Sequence, residues 1–313
     1  MSKSHFHSEV TMKARWTFLA MAMALPLLAV VPATAQQAPA PPGSPAHGGE
    51  HPFAAAAPGT AHSAEELAKK LANPISDLVS IPFQFNWNEG VGANDDLQFL
   101  LNVQPVLPMS VSEKWNLIGR FILPVLSQPP LVPGAPTSFG TGDIVLSAFL
   151  SPKQSKVTWG VGPVFGMPTT SNPYLGSGKW SIGPTVVVLK QHGELVFGAL
   201  ANQLWSFAST GDTERQSVNQ MYVQPFFAYV TKAGVSYTLS SETTANWEAD
   251  SGEQWTVPLI FQVSKVTKLG PFPFSMGIGA GYYLEAPQIG PKWKLRMNFV
   301  VLLPRTSPVA HAR

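Results

Sequence analysis

The stretch Trp293-Lys294-Leu295-Arg296-Met297-Asn298-Phe299-Val300-Val301-Leu302-Leu303 changes chemistry at nearly every step. Trp293, Leu295, Met297, Phe299, Val301 and Leu303 fall on one face, and Lys294, Arg296 and Asn298 on the other. Period two marks an extended strand, because successive side chains point to opposite sides. One face therefore meets an apolar medium and the other a polar one. The pattern recurs upstream. Leu97, Phe99, Leu101, Val103, Leu107 and Met109 oppose Gln98, Asn102 and Gln104, and Trp115, Leu117, Phe121 and Leu123 oppose Asn116 and Arg120. Met221, Val223, Phe227 and Tyr229 alternate with Gln220, Tyr222 and Gln224, and Trp255, Val257, Leu259, Phe261 and Val263 with Thr256 and Gln262.

Twelve such segments lie at about 78–86, 96–109, 115–125, 142–150, 157–168, 179–189, 195–207, 219–230, 234–243, 254–264, 273–284 and 293–303. They exceed the ~5–6 residues usual in soluble sheets and match the ~9–11 of a tilted strand crossing a hydrocarbon layer. The pattern predicts an all-β fold: a transmembrane antiparallel up-and-down β-barrel of about 12 strands. Connections alternate between short (110–114, 151–156, 190–194, 231–233, 265–272) and mostly longer (87–95, 126–141, 169–178, 208–218, 244–253, 285–292), as tight periplasmic turns and outer loops do. Every short one contains lysine, while Glu89, Asp95, Asp212, Glu214, Glu248, Asp250 and Glu253 fall in the longer set. Trp87, Trp115, Trp159, Trp180, Trp205, Trp255 and Trp293 are placed to form interfacial girdles. Pro105, Pro124, Pro163, Pro184, Pro225 and Pro258 conflict with this reading, because each removes a ladder donor and a closed barrel has no free edge. A soluble barrel with a tryptophan core is the competing fold.

Composition narrows the alternatives. Of 313 residues, 45% are hydrophobic and 12% charged, about half the ~25% charge of a soluble domain. A net charge of +2 excludes a nucleic-acid partner, and the lack of cysteine excludes disulfides and thiolate chemistry. Residues 1–35 read as a signal peptide: Lys13 and Arg15, an apolar run from Trp16 to Val31, then Ala33-Thr34-Ala35. A membrane anchor is the alternative there. Residues 36–61 form an Ala/Pro-rich linker, with His47, His51 and His62 in or beside it in no metal-binding spacing. Residues 62–77 hold a short N-terminal periplasmic helix, opened by the capping box Ser63-Ala64-Glu65-Glu66 and stopped by Asn73-Pro74. The barrel spans 78–304, and 305–313 form a tail.

Several stretches carry a resemblance: Gly140-Thr141-Gly142-Asp143-Ile144, Trp159-Gly160-Val161-Gly162-Pro163-Val164-Phe165, Leu175-Gly176-Ser177-Gly178-Lys179-Trp180, Gly198-Ala199-Leu200-Ala201-Asn202-Gln203-Leu204-Trp205-Ser206 and Glu253-Gln254-Trp255-Thr256-Val257-Pro258. Over about residues 65–304 the chain resembles a family of bacterial outer-membrane barrels labelled neuromedin U or phenol-degradation-pathway transporter. The resemblance implies an outer-membrane location and transport, and brings no catalytic or ligand residues with it. The family tends to stop just after its last strand, whereas here Arg305–Arg313 follow.

The barrel region holds one histidine, His192, in the turn Lys190-Gln191-His192-Gly193, so a histidine-dependent triad has no partner on any strand and no enzyme is expected. No cofactor or metal is expected either. The inward faces would present Gln98, Asn102, Gln104, Asn116, Arg120, Asn202, Gln220, Tyr222, Gln224, Thr238, Gln262, Arg296 and Asn298 as a pore lining, with Arg120 and Arg296 as fixed positive charges. Glycines at 160, 162 and 166 would widen the bore. Two readings follow: a transporter or passive channel for small solutes, aromatic or apolar ones included, or a plugged structural barrel that binds cations or lipopolysaccharide. Expected partners are outer-membrane lipid and lipopolysaccharide, the barrel-insertion machinery and an unidentified small solute.

Overall fold

The computed structural model describes residues 63–211, 215–269 and 272–303. The expected signal peptide, the linker with His47, His51 and His62, the acids Asp212 and Glu214, and the tail lie outside them.

Twelve strands close into an antiparallel barrel. They are β1 (Val79–Val91), β2 (Asp96–Val103, continued by Val106–Ser110), β3 (Trp115–Gln128) and β4 (Ser138–Thr141, continued by Ile144–Pro152). Next come β5 (Thr158–Met167), β6 (Lys179–His192), β7 (Leu195–Ser209) and β8 (Asn219–Val230). The last are β9 (Val235–Ser240, continued by Thr243–Asn246), β10 (Trp255–Leu269), β11 (Phe272–Glu285) and β12 (Trp293–Leu303). Pairing of β1 with β12, from Val79↔Leu303 to Glu89↔Trp293, completes the ring. Every strand then has two neighbours, which leaves no unpaired edge. Both ends of the strand sequence, Val79 and Leu303, lie at one end of the barrel (the terminal end below), with the short turns; the opposite end is the loop end.

Alternation holds all round the ring. Val161, Val186, Val188, Phe197, Phe227, Leu239, Leu259, Phe261, Ile278 and Leu295 project outward and are exposed. Trp180, Trp205 and Trp293 are exposed near the loop end, where Trp247 and Trp255 meet edge to face at 5.5 Å. Trp115 and Trp159 do the same at the terminal end, at 5.9 Å.

Two connections are shorter than their composition suggests. β1 runs to Val91 and β2 starts at Asp96, so the loop expected over 87–95 is a tight turn. Asp95 (φ 56°) and Gly92 (φ 79°) take left-handed conformations there. Asn88 falls in the stretch expected as loop but lies, with Asn86, on the inward face of β1, and both are buried. Likewise β10 extends to Leu269 and carries Lys265 and Lys268 within the strand.

The prolines sit where the ladder can spare a donor. Pro105 occupies the interruption in β2, and Pro124 faces a one-residue bulge in β4, where the register moves from Ile122↔Val145 to Val125↔Thr141. Pro163 and Pro184 face each other, and the ladders on their far sides skip Ala148 and Gln203. The glycine before each proline makes room: a side chain on Gly162 would collide with the Ala148 carbonyl, and one on Gly183 with that of Gln203. Pro225 and Pro258 flank, on β8 and β10, the interruption at Ser241–Glu242 in β9.

The helix α1 (Ala64–Leu71) opens as read: Ser63 Oγ accepts from the Glu66 amide (3.1 Å) and Glu66 Oε2 from the Ser63 amide (2.9 Å). It packs on β8, β9 and β10 inside the terminal end. Leu67, Ala68 and Ile75 join inward-facing Val106, Ile118, Phe149, Val187, Leu200, Val230 and Leu302 in one apolar cluster. The absence of a side chain at Gly160 admits Ile75 (Cδ1 3.1 Å from where a Cβ would stand), so this glycine seats the lead-in to β1 and does not widen a bore. Asp143, from the Gly140-Thr141-Gly142-Asp143 stretch, accepts from Ser177 N (2.6 Å) and Ser177 Oγ (2.8 Å), fastening the β5–β6 loop to β4.

The barrel lumen as candidate functional site

Strand β12 aims Lys294, Arg296 and Asn298 inward. Its neighbour β11 sets Gly281, Gly279 and Gly277 against them in register, and the bare strand leaves volume for the long side chains. On the other side β1 presents Asn88, Asn86 and Gln84 at the same three levels. Glu242 comes from the proline-flanked interruption in β9. Its carboxylate reaches over the glycines of β11 and accepts two parallel bonds from Arg296, Nη1 to Oε1 at 2.8 Å and Nη2 to Oε2 at 2.6 Å. The third edge of the guanidinium is taken by Asn86 Oδ1, 2.8 Å from Nε. Lys294 Nζ lies 3.6 Å from Glu242 Oε2 and 5.4 Å from the centre of the Tyr283 ring. Arg296 is 3% and Lys294 6% exposed, so this is a buried ion layer. Such a layer holds only when every charge has partners.

Amide networks continue the layer in both directions. Toward the loop end, Tyr283 Oη donates to Asn88 Oδ1 (3.1 Å) and Asn88 Nδ2 to Gln98 Oε1 (2.7 Å). Gln98 in turn donates to Gln128. Toward the terminal end, Arg120 Nη2 donates to Gln104 Oε1 (2.8 Å), and Gln104 and Asn102 both donate to Gln84 Oε1 (3.4 and 3.3 Å). Asn298 Nδ2 donates to Gln262 Oε1 (2.7 Å), while its own Oδ1 is buried without a partner.

Between this layer and α1 lies a cavity of about 240 Å³. Ser80, Ser236, Thr238, Ser240, Ser264 and Ser275 line it, and none of their hydroxyls bonds to another described side chain. Gln84, Gln104, Arg120, Gln224, Glu242, Gln262, Arg296 and Asn298 complete the polar wall, and Ala68, Leu71 and Ala72 form its floor.

All thirteen residues read from sequence as pore lining fall on inward positions of their strands, Thr238 among those that line the cavity. The structure gathers Asn102, Gln104 and Arg120 into one network and joins Gln262 to Asn298. Gln224 lines the cavity, and Tyr222 lies within electrostatic range of Glu242, Arg120 and Arg296. Asn202 faces Tyr222 on the neighbouring strand. Asn116 stands apart at the terminal end beside Ser151, and Gln220 near the loop end, where it lines a shallow pocket with Arg215 and Asn246. Arg296 departs from its expected role: Glu242 neutralises it, so it is no free positive charge. Glu242, Asn86, Asn88 and Tyr283 were not singled out in the sequence, and Lys294 is read there as sharing the polar face of Arg296 and Asn298 but not as part of the lining. The available signal was Glu242 itself, an acid inside an alternating segment of a chain whose other acids crowd the loops. His192 ends β6 and is exposed, away from the lumen.

No protein-family model matches the chain, and no curated protein does. Solved structures do. An outer-membrane channel from Pseudomonas putida F1 is similar at 15% identity, over 72% of this chain and 94% of that one, with a TM-score of 0.55. The NanC porin is similar at 9% identity, over 72% of this chain and all of that one (100%), with a TM-score of 0.50. At such identities the likeness is one of fold.

Proposed function

We propose that the protein is an outer-membrane barrel that carries small polar solutes through its lumen, with Val79 and Leu303 at the periplasmic end and the longer loops outside. One observation carries this reading: an unbroken ring of apolar side chains faces outward while a polar cavity and an ion layer occupy the interior. Exposed apolar surface on that scale needs lipid to cover it, and a lumen lined by hydroxyls and amides suits water and polar solutes. Both fold neighbours are named as channels or porins, and the family resemblance read from the sequence points to transport as well. Aromatic or apolar cargo fits this lining poorly, since it would desolvate the hydroxyls without replacing their hydrogen bonds.

A second reading, a plugged structural barrel, is favoured by α1 and Ile75 filling the terminal end. Planar-bilayer recording of the purified full chain separates the two. A conduit gives discrete conductance steps; a protein that shows the gel mobility of a folded barrel and yields none is a plug.

A further inference from the structure

We infer that the lumenal cavity is a binding site for a small hydroxylated carboxylate, a sugar acid in chemical class, with Arg120 receiving the carboxylate. Four charged groups stand in the cavity wall. Lys70 is paired with Asp77 at 2.9 Å, and Arg296 and Glu242 satisfy each other. Arg120 is the one that makes no ion pair among the described residues; its guanidinium gives a single hydrogen bond, to the neutral amide of Gln104. A guanidinium offers five N–H donors in a planar fork suited to a carboxylate. Arg120 is thus a cation in a partly desolvated cavity with donors to spare.

The rest of the wall specifies the other half of the ligand. Six hydroxyls with no hydrogen-bond partner among the described residues, those of Ser80, Ser236, Thr238, Ser240, Ser264 and Ser275, ring the cavity, and each can donate and accept. The volume, about 240 Å³, admits a monosaccharide-sized acid. The inference rests on the conduit reading only for the route by which the ligand enters.

Titration calorimetry on the purified full chain in detergent tests this with three probes. D-gluconate has the charge and the hydroxyls, D-glucitol the hydroxyls alone, and acetate the charge alone. Gluconate is expected to bind at least about ten-fold more tightly than either of the others. Arg120→Gln should abolish the preference for gluconate over glucitol, and Arg120→Lys should keep part of it. Gln104→Glu leaves Arg120 in place but sets a carboxylate where Gln104 Oε1 already accepts from Arg120 Nη2 at 2.8 Å, and should also weaken gluconate about ten-fold; it decides the matter if the Arg120 variants do not fold. Equal binding of gluconate and glucitol, or gluconate binding unmoved by both Arg120→Gln and Gln104→Glu, would overturn the site. Conductance without gluconate binding sinks the site and spares the conduit; binding without conductance does the reverse.

Discussion

At the scale of single residues, the lumen is organised by one acid. Glu242 is the only carboxylate within reach of both Arg296 and Lys294 among the described residues, and those cations are almost wholly removed from solvent. Removing one member of a buried ion group leaves its partners charged and desolvated, which costs about 3–5 kcal/mol, more than the pair itself contributes. Glu242→Gln should therefore lower the unfolding free energy of the reconstituted barrel, read from its urea titration, by that order. Glu242→Gln combined with Arg296→Gln should lose less than the sum of the two single variants, because neither charge is then orphaned. Additive losses would mean that the two groups do not depend on each other. Why Glu242 stands there is also a matter of single residues. Pro225 and Pro258 interrupt the ladders beside it, and Gly279 and Gly281 clear its path to β12.

At the scale of elements, α1 is the part whose placement most affects transport. A helix of eight residues is too short to persist in water by itself. Its capping box and its Lys69–Glu65 pair help only modestly, and burial of Leu67 and Ala68 inside the barrel stabilises it. Its start lies against the β8–β9 turn: the Ala64 Cβ is 2.7 Å from where a side chain on Gly234 would begin. A side chain on Gly234, whose φ is 73°, would therefore push against the start of α1. Gly234→Leu should loosen α1 from the terminal end and raise conductance in planar bilayers above that of the unaltered chain. Equal conductance of the two proteins would show that solutes do not pass α1. The strand breaks belong to this scale too. Interruptions in β2, β4 and β9 each coincide with a proline in that strand or a neighbour, so the prolines that argued against a closed ring are the places where the ring bends.

For the whole molecule, the governing fact is the medium on each side of the wall. Phe261 lies outward near the middle of β10 and is 52% exposed. If lipid covers it, Phe261→Arg should cost about 2–4 kcal/mol in reconstituted bilayers; on a water-facing surface the same change should stay within about 0.5 kcal/mol. The smaller value would return the chain to the soluble alternative. This division also explains what was legible beforehand. Lipid demands an apolar residue at every second position whatever the strand's neighbours are, so strand number, register parity and the inward set from Gln98 to Asn298 could be read from spacing alone. Asn88 escaped because the polar run Asn86-Trp87-Asn88-Glu89-Gly90 resembles a loop, and Asn86, the last residue of the expected strand, drew no notice. The partners inside the lumen are another matter. Glu242 and Arg296 are 54 positions apart, and Asn86 and Arg296 are 210 apart. Local periodicity carries no information about which inward side chains meet across a closed ring. The sequence by itself determined a barrel with oil outside and polar groups within. Only closure of the ring decided that Arg296 is neutralised, that Arg120 is not, and that α1 and a hydroxyl-lined cavity share the interior, because those outcomes depend on distances across the lumen that no stretch of chain encodes.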